Sequence, residues 1–157
     1  MRMLFKQRLF SWLDSYDIYD DLGNVLYTVQ GQLAWGHKLK VFDAQGQELG
    51  MLRERMLVLL PKFEIYLNGQ YAGCVSKEFS FFRPRYQIDY LGWQVEGDFW
   101  GWDYSIQDPA GSTVATVSKE LLHWTDTYAI DVARPADALA VLMFVLAIDA
   151  EKCSSSS

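Results

Sequence analysis

Four pairs of basic residues stand two positions apart: Lys6 and Arg8, Lys38 and Lys40, Arg53 and Arg55, Arg83 and Arg85. On a β-strand that spacing projects both members of a pair from one face. Cations gathered on a face suit a phosphate, because Arg offers a planar fork of donors and Lys a mobile point charge. The competing explanation is a solvated sheet face, which is often charged for solubility alone. Lys38, Lys40, Arg53, Arg55, Arg83 and Arg85 are the candidate ligand-binding residues, and the ligand they imply is an anion.

Other chemistry has less support. His37 and His123 have no metal-ligand spacing to each other or to a cysteine, so ordinary structural histidines are the simpler reading. A Cys74–His123 nucleophile pair has no motif around it. Cys74 lies in an alternating strand and reads as a small buried apolar residue, and Cys153 is expected beyond the helix, near the Ser154–Ser157 tail. Asp14, Asp17, Asp20 and Asp21 cluster near a turn, but no calcium loop can be drawn through them, and a solvated hairpin end accounts for them. The aromatic run Phe79-Ser-Phe-Phe-Arg-Pro-Arg-Tyr86, with Trp93, Phe99, Trp100 and Trp102, suits a stacking or membrane-interface surface; core packing is the commoner use of such residues. No catalytic residue, metal or cofactor is expected.

The formal charge of -6 is unevenly placed. Residues 1–85 hold 11 Lys/Arg and 9 Asp/Glu, residues 86–157 hold 3 and 11. So acidic a chain is a poor general nucleic-acid binder, which leaves a local basic patch in the first half. Two cysteines make no disulfide framework, and a reducing compartment, the cytoplasm, is expected. The first residues hold no apolar run long enough for a signal peptide. The longest apolar run, Ala138–Ile148, is 11 residues against the roughly 20 that a bilayer span needs.

The elements that must position these residues are strands. About twelve are expected, near 3–10, 15–20, 25–33, 37–43, 48–55, 58–67, 70–78, 86–91, 93–96, 103–108, 112–119 and 125–132. Asn68-Gly69 marks a type I′ hairpin. Asp43-Ala-Gln-Gly-Gln47 and Asp108-Pro-Ala-Gly-Ser112 mark two more turns of one recurring kind. A turn centred on Gln45-Gly46 pairs Asp43 with Glu48 and, counting outward, sets Lys38 opposite Arg53. Pro135 and Asp137 then open a helix over 135–152 that is apolar on every side. Such a helix must be surrounded, and an antiparallel sheet surrounds it by curling into a barrel, which also removes edge strands. The expected fold is all-β with one buried helix: a closed antiparallel barrel of about 12 strands around the C-terminal helix, one domain over 1–153 followed by a Ser tail at 154–157.

The segment Trp93-Gln-Val-Glu-Gly-Asp-Phe-Trp-Gly-Trp-Asp-Tyr-Ser-Ile-Gln-Asp108 resembles the LURP-one-related family. The likeness continues through Gly111, Ala115, Val117, Ser118, Lys119 and Asp126–Val132 into the terminal helix. That family sits in the tubby C-terminal-like superfamily with the phospholipid scramblases, and the resemblance implies the same 12-stranded barrel with a buried helix. Tubby binds phosphoinositide headgroups through basic residues on its barrel wall, although its site does not map residue by residue onto this chain. The functional expectation is a non-enzymatic module that recognises an anionic phospholipid headgroup or another phosphorylated ligand, peripherally at a membrane surface and with no transmembrane segment. The alternatives are a scaffold for a protein partner and, less favoured, a hydrolase.

Overall fold

The computed structural model describes residues 1–6, 15–34, 36–55, 62–78, 85–98, 100–120 and 127–155. Twelve antiparallel strands follow in chain order: β1 Arg2–Lys6, β2 Ser15–Tyr19, β3 Val25–Ala34, β4 Gly36–Asp43, β5 Glu48–Arg55, β6 Lys62–Leu67, β7 Gln70–Glu78, β8 Arg85–Tyr90, β9 Gln94–Asp98, β10 Asp103–Gln107, β11 Thr113–Glu120 and β12 Thr127–Val132. A short 3-10 turn, Pro135–Asp137, leads into helix α1, Ala138–Ser155, which runs past the expected end at 152 and so includes Cys153, expected beyond it. One sheet holds every strand in the order β8-β7-β6-β5-β4-β3-β2-β1-β12-β11-β10-β9. The barrel is nearly closed. β8 and β9, joined through Leu91-Gly92, are the two ends of the ladder, so a seam runs between them and two strand edges remain.

Alternation along the strands builds the barrel's two faces. Val29, Leu39, Val41, Leu52, Phe63, Ile65, Val75, Ile106, Val117 and Ile130 point inward and are buried. They enclose α1, whose residues Val141–Ile148 are all buried. A helix apolar on every side finds apolar partners in all directions only inside a curled sheet. Each fully buried Leu, Ile, Val or Phe stabilises the fold by about 1.5–3 kcal/mol. Tyr90 and Trp93 flank the seam from within. Tyr90 stacks on Phe144 with ring centroids 5.7 Å apart and donates its hydroxyl to the Ala140 carbonyl at 2.8 Å. No helix among the described residues is long and apolar enough to cross a membrane.

Three hairpins share one turn. In Asp20–Asn24, Asp43–Gln47 and Asp108–Ser112 the aspartate Oδ1 accepts two backbone N–H groups, two and four residues on. A glycine follows at the position of positive φ: Gly23, Gly46 and Gly111. The acidic cluster at Asp20 is thus partly turn chemistry, as its hairpin-end reading anticipates. Asn68-Gly69 takes φ of 51° and 80°, the two positive angles of a type I′ turn.

Candidate anion-binding face

Lys38 lies directly opposite Arg53, as the register argument predicts. The reason differs in one detail. Asp43 donates its N–H to Gln47 rather than facing Glu48, Glu48 faces Phe42, and a bulge between Val41 and Phe42 restores the count. A bulge absorbs the odd residue of the five-residue turn and leaves the rest of the ladder in register. Leu39 and Leu52 are buried on the inner face, so Lys38, Lys40, Arg53 and Arg55 all belong to the outer wall.

Their neighbours make them unequal. Lys40 Nζ lies 2.9 Å from Glu48 Oε1, which neutralises it. Arg55 Nε lies 3.2 Å from Glu64 Oε1. Arg53 is exposed, with Lys38 opposite on one side and Glu64 on the other. Lys62 sits directly opposite Arg55. Spacing along the chain does not single out Lys62; only the β5–β6 register brings it to the patch. Two like-charged pairs, Lys38/Arg53 and Arg55/Lys62, therefore stand on adjoining strands around one carboxylate. Like charges directly opposed destabilise a sheet by about 0.2–1 kcal/mol per pair.

The remaining candidates are not in this patch. Arg85 opens β8 and pairs with Glu78, three strands from β5, or about 14 Å at ordinary strand spacing. Arg83 lies outside the described residues, as do Arg8, His123, Phe79, Phe81, Phe82 and Phe99. Cys74 is half-buried on the outer face of β7, opposite Glu64 and Asp89, which corrects the buried reading: its register places it outward because Val75 is the residue that points in. Trp93 and Trp102 are buried among the core residues, while Trp100 is exposed.

A second polar group, unseen in the sequence, lies at the end of the barrel where α1 finishes. His37 Nδ1 is 2.6 Å from Glu54 Oε2, which also accepts the His37 backbone N–H. The charge of Glu54 reaches Glu151 of the helix, whose carboxyl is pushed up to about 7, chiefly by burial, with Lys77 pulling it down. Burial likewise pushes Asp149 up to about 6 against the pull of Lys152. Lys152 Nζ in turn sits 4.3 Å above the Trp102 ring. The polar residues at the end of the helix, Glu151 and Lys152, are therefore packed inside the wall. No group of His, Cys, Asp and Glu among the described residues could hold a metal ion.

A family model described as LURP-one-related matches residues 1–149. The chain belongs to the LURP-one-related family. It is 30% identical over 151 residues to the uncharacterised Bacillus subtilis protein YxjI, covering 95% of this chain and 92% of that one. An Arabidopsis thaliana protein of known X-ray structure shares the fold, with a TM-score of 0.61 at 14% identity over 94% of this chain and 90% of the other. The LURP-one-related match agrees with the resemblance carried by Trp93–Asp108.

Proposed function

We propose that this LURP-one-related barrel is a non-enzymatic binding module for a phosphorylated anion, a phospholipid headgroup at a membrane surface being the form that a patch on the outer wall suits best. The supporting observation is the pair of like-charged cross-strand contacts, Lys38/Arg53 and Arg55/Lys62, set side by side around Glu64. A fold that keeps two such pairs bears a cost that a bound phosphate would turn into charge-assisted hydrogen bonds. Arg53 carries the reading because it is exposed and faces a lysine.

The test is co-sedimentation with vesicles, phosphatidylcholine alone against phosphatidylcholine with an anionic phospholipid, over a salt titration. Binding to the anionic vesicles only, weakened as salt is added, is expected, since exposed charges are screened within about 8 Å at physiological ionic strength. Lys38→Gln with Arg53→Gln should weaken that binding several-fold. Equal sedimentation with both vesicle types, or binding unchanged in the double variant, would leave the patch an ordinary solvated face. Displacement by soluble inorganic phosphate distinguishes a site for a free anion from one that needs a membrane.

A further inference from the structure

The seam in the barrel leaves β9 with a partner on one side only. β10 pairs with it from Asp103↔Asp98 to Gln107↔Gln94, and among the described residues no strand pairs with its other edge. Among the described residues β8 is likewise paired only to β7. The two strands start together, the Trp93 N–H bonding to the Tyr90 carbonyl at 3.0 Å across Leu91-Gly92, and share no ladder beyond it. In an antiparallel ladder alternate residues turn their N–H and C=O groups away from the partner, so an edge presents a row of donors and acceptors ready for another strand. β9 is also open to water, with Gln94, Glu96, Gly97 and Asp98 exposed.

The side chains beside this edge choose its occupant. Tyr104 and Ile106 are buried on the inner face, so their partners Gly97 and Val95 point inward, and Gln94, Glu96 and Asp98 point outward. Asp98 faces Asp103 across the β9–β10 ladder, two like charges directly opposed. Across the seam the outward, exposed residues of β8 are Gln87 and Asp89. Three carboxylates, Glu96, Asp98 and Asp89, thus border the seam on its outer side, with Asp103 one strand further in. A second copy pairing β9 to β9 would set Glu96 and Asp98 against their own kind. An extended segment with Lys or Arg at alternate positions would set cations against them, and its other side chains, facing the level of Val95 and Gly97, should be apolar or small.

We propose that the β9 edge is a docking strand for an extended basic segment of a partner protein, which adds to the sheet as a further strand. The β9 edge is distinct from the cationic face of β4–β6, on a different part of the wall and of opposite charge.

The probe is a capped peptide of about seven residues alternating Lys with Val, a typical strand length. It is followed by amide hydrogen exchange and NMR shifts of Gln94–Asp98. In the free protein alternate amides of β9 should exchange fast; the peptide should protect them, with a Kd below about 1 mM. Glu96→Lys with Asp98→Lys, both exposed, should weaken binding at least about tenfold at a melting temperature no lower than wild type, since Asp98→Lys also relieves the contact with Asp103. The same peptide with Glu for Lys should leave β9 unprotected, and so should a Lys peptide N-methylated at alternate residues, which keeps its charge but cannot pair. The proposal falls if every β9 amide is already protected in the monomer, if that protection rises with protein concentration, if the Lys–Val peptide does not bind, or if the N-methylated peptide binds equally well.

Discussion

At the scale of single residues, Arg53 and Arg55 differ although they are two apart on one strand. Arg55 is tied to Glu64, a carboxylate almost excluded from water, whereas Arg53 faces Lys38. Reversing both charges would therefore remove a useful ion pair along with an unfavourable contact. Lys38→Gln is the cleaner change, because it leaves Arg53 opposite Glu64, and should stabilise the fold by a few tenths to about 1 kcal/mol as the like-charge contact is relieved. Arg55→Ala should destabilise it by about 1 kcal/mol, because Glu64 is left short of a partner. Thermal melts of the two variants should move in opposite directions; a shift of both the same way would refute this division of roles. Gly97 gives a separate test. Its φ is 116°, and an added Cβ would lie 2.5 Å from the Asp103 carbonyl oxygen, so Gly97→Ala should cost at least about 1 kcal/mol. A melt indistinguishable from wild type would show that the positive φ there is not required.

Among the elements, the aspartate turns and the helix carry the architecture. Each turn aspartate holds two backbone N–H groups and sets the register of its hairpin. Asp43→Ala should cost about 1 kcal/mol and also loosen the β4–β5 register that places Lys38 against Arg53. Amide exchange confined to residues 36–55 would reveal it, and unchanged protection would argue that the strands alone hold that register. Helix α1 is the core itself. Leu142 is fully buried, so Leu142→Asp should abolish folding, since an unpaired carboxylate there has no water and no partner. A soluble variant with native circular dichroism and melting would refute the enclosed-helix account.

Over the whole molecule, charge is sorted by place. The β4–β6 wall is cationic, the seam is acidic, and the barrel end under α1 buries a mixed cluster. Glu151 there rises from 4.5 to about 7 and Asp149 from 3.8 to about 6. A carboxyl with a raised folded-state pKa binds its proton more tightly folded than unfolded. Its contribution to stability is full below the unfolded value and is lost as pH rises through the folded one. Stability should therefore fall from about pH 4 to about pH 7, first through Asp149 and then through Glu151. Glu151→Gln should flatten the decline, because an amide keeps its hydrogen-bonding capacity and does not ionise. Melting temperature against pH for wild type and Glu151→Gln would decide it, and parallel curves would exclude Glu151 as the source.

The existence of twelve strands, the recurring Asp-x-x-Gly turns and the surrounded helix were legible in the amino-acid sequence because each rests on local chemistry: period-two alternation, positive φ at glycine, and an apolar run with no polar side. The pairing of Lys38 with Arg53 was legible too, since one hairpin turn determines it. What lay beyond one hairpin belonged to the tertiary structure. Lys62 joined the patch, and Glu64 neutralised part of it, only once β6 was in register with β5. Arg85 fell three strands away for the same reason. Asp149, Glu151 and Lys152 follow the apolar run, and their burial within the wall came only with the tertiary structure. The seam between β8 and β9 had no local sign at all: Leu91-Gly92 makes a tight turn, and whether the strands it joins stay paired depends on how far ten other strands and the rings of Tyr90, Trp93 and Phe144 carry the sheet around the helix.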